Sequence, residues 1–155
     1  MRGLDTNRAN DGPRAGARRE VQSERFRVYF PRLFAYACAS TGDDEAARDV
    51  VVSAFSEAFA RPDVREDEFE LDLFRTARAI TQSGEYRMRR HDDGLSPRER
   101  DVISLLFDAQ LNRLQISALL GIRQDAVAST LVRGLRKLRA SFALGTSGAT
   151  VPSFS

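Results

Sequence analysis

From Ser23 to Phe142 the apolar residues recur at intervals of three and four and not of two, which predicts amphipathic helices and no strand. In the first segment Phe26, Tyr29, Phe30, Leu33, Phe34 and Ala37 share a face, and Pro31 is expected to kink that helix or restart it. Thr41-Gly42-Asp43 is a break followed by an N-cap. A second helix then places Ala47, Val50, Val51, Ala54, Phe55 and Ala58 on one side and stops at Pro62. A third begins after the acidic "REDEFE" and runs through Leu73, Phe74, Ala77 and Ile80 until Gly84 weakens its end.

A second helical set follows "HDDG". Ser96, Pro97 and Glu99 have the spacing of a capping box with proline at the first helical position. Asn112 and Gln115 repeat the box, opening a short helix that Gly121 closes with a left-handed cap. A longer helix starts at about Gln124, with Val127, Leu131, Leu135, Leu138 and Phe142 expected inward. Gln124, Asp125, Ala128, Ser129, Arg133, Arg136 and Lys137 are expected outward. Short helix, glycine turn and longer helix with a basic outer face form a helix-turn-helix pattern. Such a unit leaves one helix face free to enter a major groove about 12 Å wide.

Composition narrows the chemistry. The 155 residues are 42% apolar and 30% charged, a globular balance, with tails expected to be disordered at 1–22 and 143–155. No apolar run suits a membrane span or a signal peptide, so a cytoplasmic location and no membrane partner are expected. One cysteine, Cys38, and one histidine, His91, cannot build a disulfide or a usual zinc site, and no metal or cofactor is expected. Cys38 reads as a small core residue and His91 as a solvated one. No glycine-rich phosphate loop and no Ser/His or Cys/His pair in a suggestive context is present, so the chain does not read as an enzyme. Charge is uneven: Asp43 to Asp72 holds eleven acids and three arginines, a local −8, while Arg123 to Arg139 holds five basic residues and one acid, a local +4. The two regions suggest two partners, one of them polyanionic.

The stretch "LSPRERDVISLLFDAQLNRLQISALLGIRQDAVASTLVRGLRKLR" resembles the C-terminal promoter-reading domain of extracytoplasmic-function (ECF) sigma factors, small members of the sigma-70 family. Upstream, "FPRLFAYACASTGDDEAARDVVVSAFSEAFA" with "LDLFRTARAITQSGEYRMRR" is similar to their N-terminal domain. The resemblance implies an all-α chain of two small domains: a region 2-like three-helix bundle at 23–91, a linker at 92–95 and a region 4-like helix-turn-helix domain at 96–142. It implies docking on core RNA polymerase and reading of promoter DNA, with an anti-sigma protein as a further candidate partner. On it, Gln124, Asp125, Ala128 and Ser129 are base-reading candidates, and Arg123, Arg133, Arg136 and Lys137 are phosphate candidates. Arg75, Arg78, Arg87, Arg89 and Arg90 are candidates for the −10 element. Asp49, Val52, Ser53 and Ser56 are candidates for the polymerase surface, with Val52 expected to be at least partly exposed.

Departures from the family pattern accompany the resemblance. The polymerase-docking helix, usually like Asp-Leu-Val-Gln-Glu-Thr-Phe, reads Asp49-Val50-Val51-Val52-Ser53-Ala54-Phe55, without the Gln-Glu pair. Trp-Leu and Ala-Arg-Asn become Asp72-Leu73 and Ala77-Arg78-Ala79, and Thr-Val-Lys-Ser-Arg becomes Ala126-Val127-Ala128-Ser129-Thr130, without two basic contacts. The linker is short: Asp92 to Ser96 spans at most roughly 16 to 18 Å. Promoter elements of this family lie roughly 50 to 60 Å apart, given ~34 to 36 Å per turn. A compact arrangement of the two sets is therefore expected. Three readings follow: a divergent working sigma factor, a sigma mimic that occupies an anti-sigma protein or other regulator without reading promoters, and a DNA-binding regulator sharing only the C-terminal module.

Overall fold

The computed structural model describes residues 12–61, 63–83 and 93–146. Among them are six helices and no strand: α1 (Gly12–Thr41), α2 (Asp44–Ala60), α3 (Glu66–Gln82), α4 (Pro97–Phe107), α5 (Arg113–Leu120) and α6 (Gln124–Thr146). The all-α expectation holds for these residues. Helices α1–α3 pack on one another, as do α4–α6, and the two sets meet where α1 touches α4 and α3 touches α5.

Two expectations about α1 are corrected. Residues from Gly12 onward, assigned to a disordered tail, are helical. Arg14, Ala15, Ala17, Arg18, Arg19 and Glu20 are good helix formers that extend an already nucleated helix at little cost. Arg18 Nη2 also reaches the Phe59 carbonyl at 3.5 Å. Nor does Pro31 restart the helix, since α1 runs through it. Pro31 is solvent-exposed, so water can satisfy the carbonyl that loses its partner. At the other end, α6 continues past Phe142 to Thr146, into the other stretch expected to be disordered. Pro62, Gly84 and His91 lie outside the described residues.

The first core is aromatic. Phe26 lies 4.8 Å from Phe55, Phe55 5.4 Å from Phe59 and Phe59 5.8 Å from Phe69, a seam that ties α1, α2 and α3 together. Tyr36 meets Phe74 edge-on at 6.2 Å beneath it. Phe26 is exposed at the seam's edge, whereas Phe55, Phe69, Tyr36 and Phe74 are buried, which stabilises by roughly 1.5–3 kcal/mol each. That burial pushes the Tyr36 phenol up to about 12, and the Asp101 carboxylate adds to the shift. Asp43 caps α2 by accepting from Ala46 N at 2.9 Å. Helix α3 starts inside the acidic run rather than after it, because Glu66, Asp67 and Glu68 in its first turn suit the positive end of the helix dipole.

In the second set Val102, Leu105, Ala109, Leu111, Ile116, Leu119 and Val127 are buried. The inward face of α6 differs from the expected one. Val127 and Thr130 are buried, Leu131 packs against the core and Gly134 is buried, whereas Leu135 and Phe142 are exposed. A face defined by apolarity alone overlooks a threonine and a glycine. At Gly134 the two helices come so close that an added Cβ would lie 2.7 Å from Ile103 Cδ1 and 3.4 Å from Glu99 Cβ.

Gly134 therefore sets how closely α6 approaches α4. Gly134→Leu is expected to destabilise the chain by ~1–3 kcal/mol through overpacking. Gly134→Ala should stay within about 1 kcal/mol of the parent, since Ile103 Cδ1 is a side-chain terminus able to move and alanine gains ~1 kcal/mol of helix propensity. Urea unfolding of both variants checks this; equal losses would contradict the close-approach account.

Candidate nucleic-acid interface

The helix-turn-helix is fixed by its caps. Ser96 Oγ accepts from Glu99 N at 3.2 Å while Glu99 Oε2 accepts from Ser96 N at 2.9 Å. Asn112 and Gln115 make the same reciprocal pair at 2.8 and 2.9 Å. Gly121 ends α5 at φ 65°, ψ 33°, the left-handed region that glycine occupies without a Cβ clash. Ser117 spans the turn by donating to the Ile122 carbonyl at 2.5 Å, and Ile122 N donates back to the Ser117 carbonyl at 3.2 Å. These bonds settle the direction in which α6 leaves the turn.

One carboxylate links the start of α4 to the middle of α6. Glu99, almost wholly buried, accepts from Lys137 Nζ at 2.9 Å as well as from its own cap. The Lys137 hydrogen bond, then the Ser96 backbone donor, holds its carboxyl below the usual carboxylate range despite burial. Lys137, a phosphate candidate by sequence, is therefore already engaged in orienting α6.

The other candidates on α6 are turned outward. Gln124, Asp125 and Ser129 are exposed and Ala128 is half-buried. Ser129 Oγ donates to the Ala126 carbonyl at 3.2 Å, which leaves its oxygen able to accept from a base. Arg123 lies 3.7 Å from Asp125 in a fully solvated pair, too screened to hold either group. Arg136 is exposed, and Arg133, also exposed, reaches Thr130 Oγ1 at 3.4 Å. Thr130 itself is buried, so a basic contact at that position would have no place on the outward face.

Asp125, Ala128, Ser129, Val132, Arg133 and Arg136 line one surface concavity along α6. Val132 was not among the sequence candidates. It sits three and four residues beyond Ser129 and Ala128, spacing that places it on the same face, and its apolarity drew attention away from a surface role. An exposed valine among polar readers suits contact with a thymine methyl. Arg113 in the first turn of α5 and Arg139 on α6 are exposed cations that sequence reading also passed over.

The N-terminal candidates divide. Asp49, Val52, Ser53 and Ser56 lie together on the exposed face of α2, with Val52 65% exposed as expected. Arg75 is exposed and pairs with Asp72 at 2.8 Å. Arg78 is not an available surface cation: its Nε donates to Asp101 Oδ2 at 2.8 Å, across to α4. Arg87, Arg89 and Arg90 lie outside the described residues. Among the described residues no cluster of three or more His, Cys, Asp or Glu is placed to hold a metal, and no helix is long and apolar enough to cross a membrane.

An exposed, partly basic helix held at a fixed angle by a capped two-helix support is the arrangement of a DNA-reading helix-turn-helix. Residues 93–140 match the family model of sigma-70, region 4, a DNA-binding regulatory domain and not a catalytic one. The match takes in α4, α5 and most of α6, 48 of the 155 residues. No curated protein matches the chain.

The Glu99 carboxyl makes the support pH-sensitive in one direction. A carboxyl whose folded pKa lies below its unfolded value contributes stability that is complete above the unfolded pKa and is lost as pH falls through the folded one. Glu99→Gln should therefore give a shallower decline of the urea midpoint on acidification than the parent chain. Superimposable declines would remove Glu99 from the acid response.

Proposed function

We propose that this chain is a divergent ECF-type sigma factor that binds core RNA polymerase and directs promoter-specific initiation, with α6 reading DNA. The observation that carries the proposal is the outward face of α6, held by two capping boxes within the segment that matches sigma-70 region 4. On this reading Gln124, Asp125, Ala128, Ser129 and Val132 face bases, and Arg123, Arg133 and Arg136 face phosphates. Lys137 contributes by orienting the helix more than by touching DNA. The region 2-like bundle at 23–91 and the region 4-like domain at 96–142 form the two functional units. The exposed α2 face around Val52 meets polymerase, Arg75 serves the −10 element, and Arg78 joins it only by exchanging Asp101 for phosphate. Action on polymerase and promoters places the protein in the cytoplasm.

One observation favours a second reading. Arg78 is engaged by Asp101, and the two helical sets rest against each other, an arrangement suited to a sigma mimic that occupies an anti-sigma protein or other regulator. Transcription by purified core polymerase on a library of genomic fragments separates the two. The sigma-factor reading expects discrete start sites that depend on the added chain. It also expects Val52→Asp to weaken core binding by about tenfold, the loss of ~1.4 kcal/mol that one central apolar contact typically supplies, with unchanged helix content by circular dichroism. No start site, combined with tight binding of the unmodified chain to an anti-sigma protein, would overturn it in favour of the mimic.

A further inference from the structure

Toward its N-terminus α1 leaves the aromatic core and forms one wall of a cleft. Arg14, Ala17, Arg18, Val21, Gln22 and Arg25 follow the helical repeat, so they share one face of α1. The opposite wall is Phe59 at the end of α2, then Arg61, Asp63 and Val64 in the connection to α3. Between the walls lies a space of about 540 Å³, within the ~300–1,000 Å³ of small-ligand sites. Arg25 belongs to the wall. Its Nε donates to Glu66 Oε2 at 3.0 Å, its Nη2 donates to the Val64 carbonyl at 2.8 Å, and its guanidinium stands 4.3 Å from the Phe69 ring centre. These contacts fix the connection against α1. The other three arginines are held far less. Among the described residues Arg14 and Arg18 pair with no carboxylate, and Arg18 reaches only the Phe59 carbonyl at 3.5 Å, which leaves most of its donors open. Arg61 meets Asp72 at 3.4 Å with its side chain 64% exposed, a loose pair that another anion can replace. Apolar surface lies among these cations, since Val21 is 49% exposed and Phe59 only half-buried. Among the described lining residues Asp63 alone is acidic.

We propose that this cleft binds a small phosphorylated ligand of nucleotide type, a nucleoside di- or triphosphate. Arg14 and Arg18 from one wall and Arg61 from the other offer paired donors to phosphate oxygens, the geometry at which arginine excels. Three cations against one carboxylate suit a chain of phosphates better than a single carboxylate ligand. The uncovered surface of Val21 and Phe59 gives a flat base an apolar face to lie on. Asp63 can then accept a hydrogen bond from a sugar hydroxyl or a base amino group. A ligand there would also join the start of α1 to the α2–α3 connection. Residues 12–20 are exposed throughout, so that stretch of helix gains little from packing, and an occupant of the cleft would stabilise it by mass action. The site does not rest on the sigma-factor reading and stands whether or not α6 meets DNA.

The test is calorimetric titration of the full chain with ATP and with GTP, alongside pyrophosphate and a short single-stranded oligonucleotide. At least one nucleotide should bind saturably, one per chain. Arg14→Ala, Arg18→Ala and Arg61→Ala should each weaken that binding by about tenfold, the loss of one charge-assisted contact. Val21→Asp should weaken nucleotide more than pyrophosphate. Joint replacement of Arg133 and Arg136 by alanine should leave nucleotide affinity unchanged, which separates the cleft from the α6 face. Crosslinking of an azido-substituted ATP to the unmodified chain gives a readout free of any folding defect, with the label expected on α1 or on the α2–α3 connection. No saturation with millimolar nucleotide, affinity unmoved by the three arginine replacements, loss of binding in the Arg133 and Arg136 variant, or label confined to α4–α6 would each overturn the site. Pyrophosphate binding as tightly as either nucleotide would remove the base from it. An oligonucleotide binding more tightly through the same three arginines would reassign the cleft to a nucleic-acid strand, and either result overturns the nucleotide proposal.

Discussion

Arg32 is the side chain on which the relation between the two halves of this molecule depends. A single guanidinium binds a carboxylate on α3 and backbone carbonyls in the α4–α5 turn while lying across two rings of the first core. Arginine suits this position because its planar fork offers several donors in fixed directions and stacks on aromatic faces, whereas lysine presents one mobile charge. The aromatic seam makes α1–α3 a firm platform for the guanidinium. Around it the buried side chains of both sets form one continuous apolar cluster, which shares in fixing the position of α4–α6.

Within the second set a comparable role falls to Glu99, at smaller scale. It completes the cap of α4, takes Lys137 from α6, and lies beside Gly134, where the two helices pass closest. One carboxylate thus couples helix start, helix crossing and the direction of the exposed basic face. The Lys137 charge is consumed in aiming the helix, while Val132, uncharged, joins the face that would meet the groove.

Local signals were legible in the sequence, and distant ones were not. The boxes at Ser96 and Asn112, the left-handed Gly121 and the start of α6 at Gln124 were all readable, because each is decided by residues within one turn. The inward face of α6 was misjudged, since Thr130 and Gly134 are buried for shape rather than apolarity. The extent of α1 was misjudged because an arginine-rich stretch without apolar period still propagates a helix once a packed segment has begun it. Arg32 to Ala109 and Arg78 to Asp101 join positions 77 and 23 residues apart, and nothing local announces such partners. The short connection did point to closeness of the two sets, through the reach of the chain alone.

Contact between the outward face of α6 and a nucleic-acid backbone is what the promoter-reading role requires. Salt dependence of binding to duplex DNA reports this most directly, since each phosphate neutralised adds about 0.9 to the slope of log affinity against log salt. Replacing Arg133 and Arg136 together by alanine should flatten that slope by up to about 1.8, two such contacts, and weaken binding to all sequences alike. Lys137→Ala should change the slope less, because Glu99 already holds that charge. A slope unaltered by the Arg133 and Arg136 replacements would contradict the account and remove α6 from the DNA interface.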